Sequence, residues 1–335
     1  MNTNKSTTEP QTNTMDGETE VTMLLSKSEA LYTTDSGAAY QGDSKELLKE
    51  LPDESIDLVV TSPPFGLRRE KEYGNETPED YNDWFMDFAE EVYRVLTEKG
   101  SFVIEIGGGW EKGKPVRSLY HFELLIRLAG DDGPFHLAQD FYWHNPAKLP
   151  TPAQWVTIER VRVKDSVNHV WALSKSERPN ADNRRVLKEY SDRQKEIMED
   201  GYEDKKRPSG HDISDKFDDP KEDNDGAIPP NLLEISNTAS NTHYLRACRE
   251  KDIDPHPARF PRDLPEFFIK FLSEPGDIVL DIFAGSNTTG RVAQDLDRKW
   301  LAFEYNKDYL ETSKFRFIPM EEITKHDDQQ ELLDF

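Results

Sequence analysis

Thr61-Ser62-Pro63-Pro64-Phe65 closes an Asp-Leu-Val-Val-Thr run (57–61) of the kind that forms a buried strand. Two consecutive prolines, Pro63 and Pro64, fix the backbone, so the Ser62 hydroxyl and the Pro63 carbonyl can project rigidly as acceptors. Phe65 adds a flat face on which a planar ring can stack. This set suits an amino group conjugated to an aromatic ring, whose delocalised lone pair makes it a poor nucleophile. Two acceptors on its hydrogens draw the nitrogen toward tetrahedral geometry and free that pair. A methyl sulfonium held in line can then be attacked directly, catalysis coming from orientation and electrostatics. Read alone, Ser-Pro-Pro-Phe is equally a strand end that starts a turn.

A second cluster lies far along the chain. Asp277 to Gly290 reads as a strand, a tight small-residue turn and a helix start. Gly285 lets the backbone approach a ligand closely, and Asp281 can meet a cationic amino group. Trp300-Leu301-Ala302-Phe303-Glu304 then ends a further strand in an acid placed for ribose hydroxyls. That spacing also suits a dinucleotide. However, Gly285-Ser286-Asn287-Thr288-Thr289-Gly290 lacks the G-x-G-x-x-G turn that cradles a pyrophosphate. S-adenosylmethionine, which has no phosphate, fits better.

The elements that must hold these clusters alternate between strands and helices. Strands are expected at 39–41, 57–61, 101–106, 137–143, 167–173, 278–283 and 300–304. Helices are expected at 45–51, 79–97, 117–129 and 264–272, from the turn through Asp295, and after Glu304. The pattern predicts an α/β fold with a mostly parallel sheet and helices on both faces. Residues 1–30 read as disordered, 31–173 as a catalytic half, 174–254 as a loop-rich module, 255–320 as a cofactor half and 321–335 as an acidic tail.

Taken together, Ser62 to Phe65, Asp281 to Gly290 and His256-Pro257-Ala258-Arg259-Phe260-Pro261 resemble the catalytic loop, cofactor turn and flanking motif of DNA amino-methyltransferases. The catalytic loop comes first, as in the circularly permuted β class. The resemblance runs from about Tyr40 to Glu304, through Lys71 to Asn75, Asn145 to Pro150, Arg207 to Ile213 and Ile228 to Asn237. It implies a Rossmann-like S-adenosylmethionine-dependent methyltransferase fold, with the module at 174–254 recognising the target. Ser62 and Pro63 would polarise the target amine and Phe65 would stack on the flipped base. Asp281, Phe283, Gly285, Ser286 and Glu304 would hold the cofactor, with Asp43 near its adenine. The resemblance implies Asp where this chain has Glu105. An acid there could hydrogen-bond Ser62 or receive the amine's proton, or be a solvated strand-end acid.

Serine at position 62 resembles the N4-cytosine group, whereas enzymes that methylate adenine N6 usually carry Asp or Asn there. N6-adenine methylation remains the alternative. An oxidoreductase would leave the Ser62 loop unexplained, and an acidic DNA mimic would not need Asp281 to Glu304. The expected partner is double-stranded DNA, with a cognate restriction endonuclease in the same system and a monomeric enzyme. No metal is expected: Cys248 is the only cysteine, and His144, His169 and His211 are scattered. Gly107-Gly108-Gly109 reads as a loop or a pocket rim.

The chain carries 66 Asp and Glu against 42 Lys and Arg, a formal charge of −24 over 335 residues. Such a surface repels polyanions at ordinary ionic strength. At about 1 M salt the Debye length falls to roughly 3 Å, and distant acids no longer repel a phosphate backbone. A haloarchaeal cytoplasm reconciles the charge with DNA binding. Within the acidic chain, Lys148, Arg160, Arg162, Lys164, Lys175 and Arg178 form a basic excess that reads either as a solvated face or as a strip contacting phosphates.

Overall fold

In the computed structural model, residues 20–66, 77, 80–200 and 226–324 are described. The strand before Ser62 forms as expected. In β3 (Ile56–Thr61), Leu58 and Val60 face one buried layer while Ile56 and Val59 face the other. A strand covered on both faces needs neighbours on both edges, and β3 has them. It pairs in parallel with β4 (Leu96–Ile106) on one side and with β8 (Ile278–Asp281) on the other.

The sheet holds nine strands in the order β1-β2-β9-β8-β3-β4-β6-β5-β7. Here β1 is Tyr32–Thr34, β2 Gly37–Gln41, β5 His136–His144, β6 Val167–Ser174, β7 Leu232–Glu234 and β9 Lys299–Glu304. The central run β2-β9-β8-β3-β4 is parallel, while β1, β6 and β5 make the antiparallel pairings. On one face pack α1 (Ser44–Glu50), α2 (Tyr81–Val95) and α3 (Tyr120–Ala129). In α2 the buried residues Tyr81, Phe85, Phe88, Val92 and Val95 keep the alternating four-and-three spacing of a single helical stripe. The other face is covered by α6 (Asp263–Leu272), α7 (Thr288–Asp295) and α8 (Lys307–Ser313). The remaining helices are α4 (Asp192–Asp200) and α5 (His243–Glu250).

Several boundaries differ from those expected. Helix α2 stops at Val95, and the fully buried Leu96 already belongs to β4, although it continues the helical spacing. Arg94 marks the stop: its guanidinium donates to the Leu48 and Leu51 carbonyls at 2.8 Å, satisfying the end of α1. The cofactor strand ends at Asp281, leaving Ile282 and Phe283 in the turn. Disorder through residue 30 is corrected from Glu20 onward. Val21 and Leu25 are buried in the core flanking a short 3-10 turn, and the hydroxyl of Ser28 holds Glu50 at 2.7 Å. The tail is likewise shorter than expected, since Ile323 is buried.

The module at 174–254 is not separate in its described part. Its β7 extends the sheet beyond β5, and Tyr244, Leu245 and Cys248 of α5 pack against Phe315 near the C-terminal end. Expectations for 71–75 and 207–213 lie outside the described residues.

Trp300 shows how tightly the sheet is filled. Its fully buried indole stacks on Phe317 at 5.0 Å and lies over Gly37, where an added Cβ would fall 2.2 Å from the ring. Trp300→Ala is therefore expected to cost about 3–5 kcal/mol in chemical denaturation. A loss below about 1 kcal/mol would show that the surrounding side chains close over the gap.

Candidate active site

Strands β3 and β8 pair through Leu58–Val279 and Val59–Leu280, and from their carboxyl ends the chain departs in opposite directions. From β8 it continues into α7 and β9; from β3 it continues toward β4. Such a switch point opens a crevice, the usual ligand site of open α/β sheets. The two sequence clusters line it from opposite sides.

Asp281 sits between them, 3% exposed. Its Oδ1 accepts from Thr61 Oγ1 at 2.7 Å and from the Phe283 amide at 3.1 Å, and its Oδ2 accepts from Thr289 Oγ1 at 2.7 Å. Burial pushes its pKa up to about 6, against the pull of these donors. The carboxylate ties β3 to the glycine turn before any ligand arrives.

The turn beyond it is held from several sides. Gly285 has φ +51°, and an added Cβ would lie 3.1 Å from the His256 ring. That ring meets Tyr309 edge-on at 4.3 Å, and burial lowers its pKa to about 4, keeping it neutral. The histidine of the 256–261 motif therefore packs under the turn. Glu304 accepts from the Gly285 and Asn306 amides, each at 2.8 Å, and burial raises its pKa. Asn287, at φ +50°, caps α7 by accepting from the Gly290 amide at 3.0 Å.

Asp43 is brought to the same place. It caps α1 through the Lys45 amide at 2.9 Å, while its neighbour Ser44 donates to the Ile282 carbonyl at 2.6 Å and Gly42 to that of Glu304 at 3.0 Å. Phe283, half-buried, packs on Phe88 and Trp84 with centroids 5.0 and 5.7 Å away. Ser286 is buried, and its hydroxyl accepts from Arg316 at 2.8 Å.

On the opposite lip, the Ser62 hydroxyl donates to Glu105 Oε2 at 2.6 Å. Glu105, on β4, is 3% exposed, so the solvated strand-end alternative is excluded. Its other oxygen accepts from Asn168 Nδ2 at 2.6 Å, and Asn168 Oδ1 accepts from Lys148 at 2.7 Å. Burial raises the Glu105 pKa to about 7, offset in part by Ser62, Asn168 and the Lys148 charge. Pro63 is buried while Pro64 and Phe65 are half-buried. The Phe65 ring lies on Gly107, where an added Cβ would fall 2.5 Å away, and the Tyr120 hydroxyl donates to the Gly107 carbonyl. Of the glycine triplet, Gly107 is thus the seat of Phe65, while Gly108 faces Arg117 and Gly109 faces the Gly66 carbonyl and Tyr120.

Sequence reasoning missed Asn168 and misplaced Lys148. A polar residue within the apolar run of β6 was the available sign; that it reaches Glu105, whose register partner is Val170 two residues on, comes only from the β4–β6 pairing. The basic strip does not exist as a continuous surface. Lys148 turns inward, and Arg162 lies over the Trp110 ring at 3.7 Å. Lys175 sits at the far end of β6, bonded to Glu54 and the Leu96 carbonyl. Cys248 is buried. Among the described residues no His, Cys, Asp and Glu cluster could hold a metal, and no helix is long and apolar enough to cross a membrane.

A crevice with a Ser-Pro-Pro-Phe lip, a buried acid behind the serine and a glycine turn opposite defines a class, and residues 56–315 match it: the chain belongs to the DNA methylase family. Type II methyltransferase M.PvuII of Proteus hauseri is 54% identical over 290 residues, covering 86% of this chain and 85% of that protein. M.ScaI of Streptomyces caespitosus is 27% identical over 285 residues, covering 84% and 81%. The solved PvuII DNA methyltransferase (cytosine-N4-specific) superposes with a TM-score of 0.71 at 47% identity, over 89% of this chain and 94% of that one. A Thermus thermophilus protein complexed with S-adenosyl-L-methionine shares the fold at a TM-score of 0.51 and 21% identity, over 83% and 92%.

Ionised Glu105 is an acceptor at both oxygens, whereas the protonated acid carries an O–H of its own that competes with one of the two incoming donors, Ser62 and Asn168. With a pKa of about 7, Glu105 loses that charge as pH falls through neutrality. The methylation rate is expected to fall on the acid side with an apparent pKa near 7, and Glu105→Gln to be slow without that limb. A limb that persists in Glu105→Gln belongs to another group.

Proposed function

We propose that this chain transfers the methyl group of S-adenosylmethionine to the exocyclic N4 of a cytosine flipped from double-stranded DNA at a short, palindromic site. The observation that carries the reading is the bond to the buried Glu105 from Ser62, at the carboxyl end of β3, the strand beside β8, which leads into the glycine turn. The cofactor supplies an electrophilic methyl group on a sulfonium. The chain's own residues do the rest. Ser62 Oγ, its proton directed into Glu105, presents its lone pairs to one amino hydrogen, and the Pro63 carbonyl accepts the other. The Pro63-Pro64 pair keeps both acceptors fixed. Phe65, seated on Gly107, stacks on the flipped base. The proton released on methylation passes through Ser62 to Glu105, whose raised pKa suits it to receive one near neutrality.

For the cofactor, Glu304 would take the ribose hydroxyls, Asp43 and Phe283 would hold the adenine, and Gly285 would allow close backbone approach. Asp281 orders the turn and would meet the methionine amino group. Ser286 contributes through its backbone, its hydroxyl being engaged by Arg316. Residues 31–173 and 255–320 act as catalytic and cofactor halves, with 174–254 reading the DNA sequence. The enzyme works as a monomer beside a cognate restriction endonuclease.

Nucleoside mass spectrometry of DNA incubated with the purified enzyme and methyl-labelled cofactor tests the target atom. Label in N4-methylcytosine is expected. Label in N6-methyladenine alone would replace the target atom, and no labelled nucleoside would remove the methyltransferase reading.

The charge of −24 favours a salt-rich cytoplasm. Activity is then expected to rise with salt over part of the range up to about 1 M, where screening removes repulsion between surface acids and phosphates. Activity that only declines from about 0.1 M upward would exclude that setting.

A further inference from the structure

We propose that Lys148 and Asn168 are positioning residues for methyl transfer: Lys148 sets the orientation of the Asn168 amide, and that amide holds Glu105 so that its other oxygen faces Ser62. The inference rests on the methyltransferase reading above and goes beyond it by naming what keeps the catalytic serine aimed.

The reason lies in donor and acceptor inventory. An ammonium has donors only, an ionised carboxylate acceptors only, and an amide one end of each kind. Lys148 Nζ donates to Asn168 Oδ1 at 2.7 Å, so the amide must present its NH2 to Glu105, as it does at 2.6 Å. Without the ammonium the amide can rotate and present its oxygen to the carboxylate, which repels it. With it, the links converge on the carboxylate: Lys148 into Asn168 and Asn168 into Glu105 Oε1 from one side, Ser62 into Glu105 Oε2 from the other. The serine proton is thereby drawn inward and its lone pairs are left toward the crevice. The head-to-tail bonds from Lys148 through Asn168 polarise one another.

Lys148 is placed for this role rather than for phosphate. It lies half-buried in the loop joining β5 to β6, whose neck is closed by the Asn145 amide bonded to the Ser166 carbonyl at 2.8 Å. Lys164 donates to the Pro146 carbonyl at 3.2 Å, bracing the segment beside Lys148. Burial lowers the Lys148 pKa, while Glu105 and Asp165 oppose that and Arg117 adds to it. Among the described residues, the Tyr81 and Tyr120 hydroxyls from α2 and α3 also act on Glu105 and are neutral at working pH, and Lys148 is the cation whose charge lowers its pKa.

Lys148→Met, Asn168→Ala and the conservative Lys148→Arg, assayed in the full chain, test this. Both disruptive variants are expected to lower kcat by about 10- to 100-fold, the scale seen when an outer hydrogen bond to a working group is lost. The KM values for DNA and cofactor should stay within about threefold, consistent with a loss confined to the transferring step. Asn168 and Lys148 both hold the Glu105 pKa down, so the acid limb should move to higher pH in both variants. Lys148→Arg, which keeps a donor-only cation, should recover most of the rate. If Asn168→Ala fails to fold, Lys148→Met, on a half-exposed loop, carries the test. A raised KM for DNA with an unmoved acid limb would make Lys148 a phosphate contact and overturn the proposal. So would wild-type kinetics in Lys148→Met. The wild-type enzyme in the same assay reports on the reading itself: if it forms no N4-methylcytosine, the reading falls, and if only the variants behave unexpectedly, the positioning role falls alone.

Discussion

Everything in the crevice depends on one buried carboxylate. Asp281 accepts from Thr61 on the catalytic strand, from Thr289 in the first turn of α7 and from the Phe283 amide in the turn between. Thr61 and Asp281 stand 220 residues apart in sequence, yet each ends one of two adjacent strands. The acid therefore sets the distance between the Ser62 loop and the glycine turn. Taking a charge out of water is costly unless donors surround it. Three donors do so here, which is why the residue stays near ionisation despite burial. Removing either threonine hydroxyl leaves less to offset that cost and loosens the gap between the lips.

A second buried acid, Glu105, answers to the same physics with a different result. It too is shielded from water, but its partners are Ser62 and Asn168 rather than the frame of the fold. One acid fixes geometry and the other conditions a hydroxyl. The division follows from place: Asp281 lies at the junction of two strands and a helix, whereas Glu105 lies under the Ser62 loop. The extra methylene of Glu over Asp is taken up without losing the serine bond, at 2.6 Å.

Much of this was legible beforehand because it is local. Apolar runs of five or six residues revealed β3, β4, β8 and β9, and the proline pair and glycine turn marked the two lips. What escaped depends on tertiary register. Asn168 is unremarkable in β6 until β6 lies antiparallel beside β4 and sets it near Glu105. Lys148 looked like part of a charged face, since lysines usually are exposed. Strand β1 and the Val21–Leu25 anchor were hidden because three-residue elements carry too little periodicity to detect. β7, only three residues long and just beyond Pro229-Pro230, was hidden for the same reason. Asp281 was recognised as important, but the threonines that occupy it could be seen only once the strands were paired.

The order of elements along the chain has a consequence for biosynthesis. A ribosome releases β3 long before β8, its neighbour on one side. At roughly 5–20 residues per second, the 220 residues between Thr61 and Asp281 take about 10–40 s to emerge. Throughout that interval one edge of the central strand of the nascent sheet has no partner, and a bare strand edge invites pairing with other chains. The same delay leaves the crevice without one of its lips, because the glycine turn follows β8. A newly translated copy lacks a complete crevice until nearly the whole chain has been synthesised.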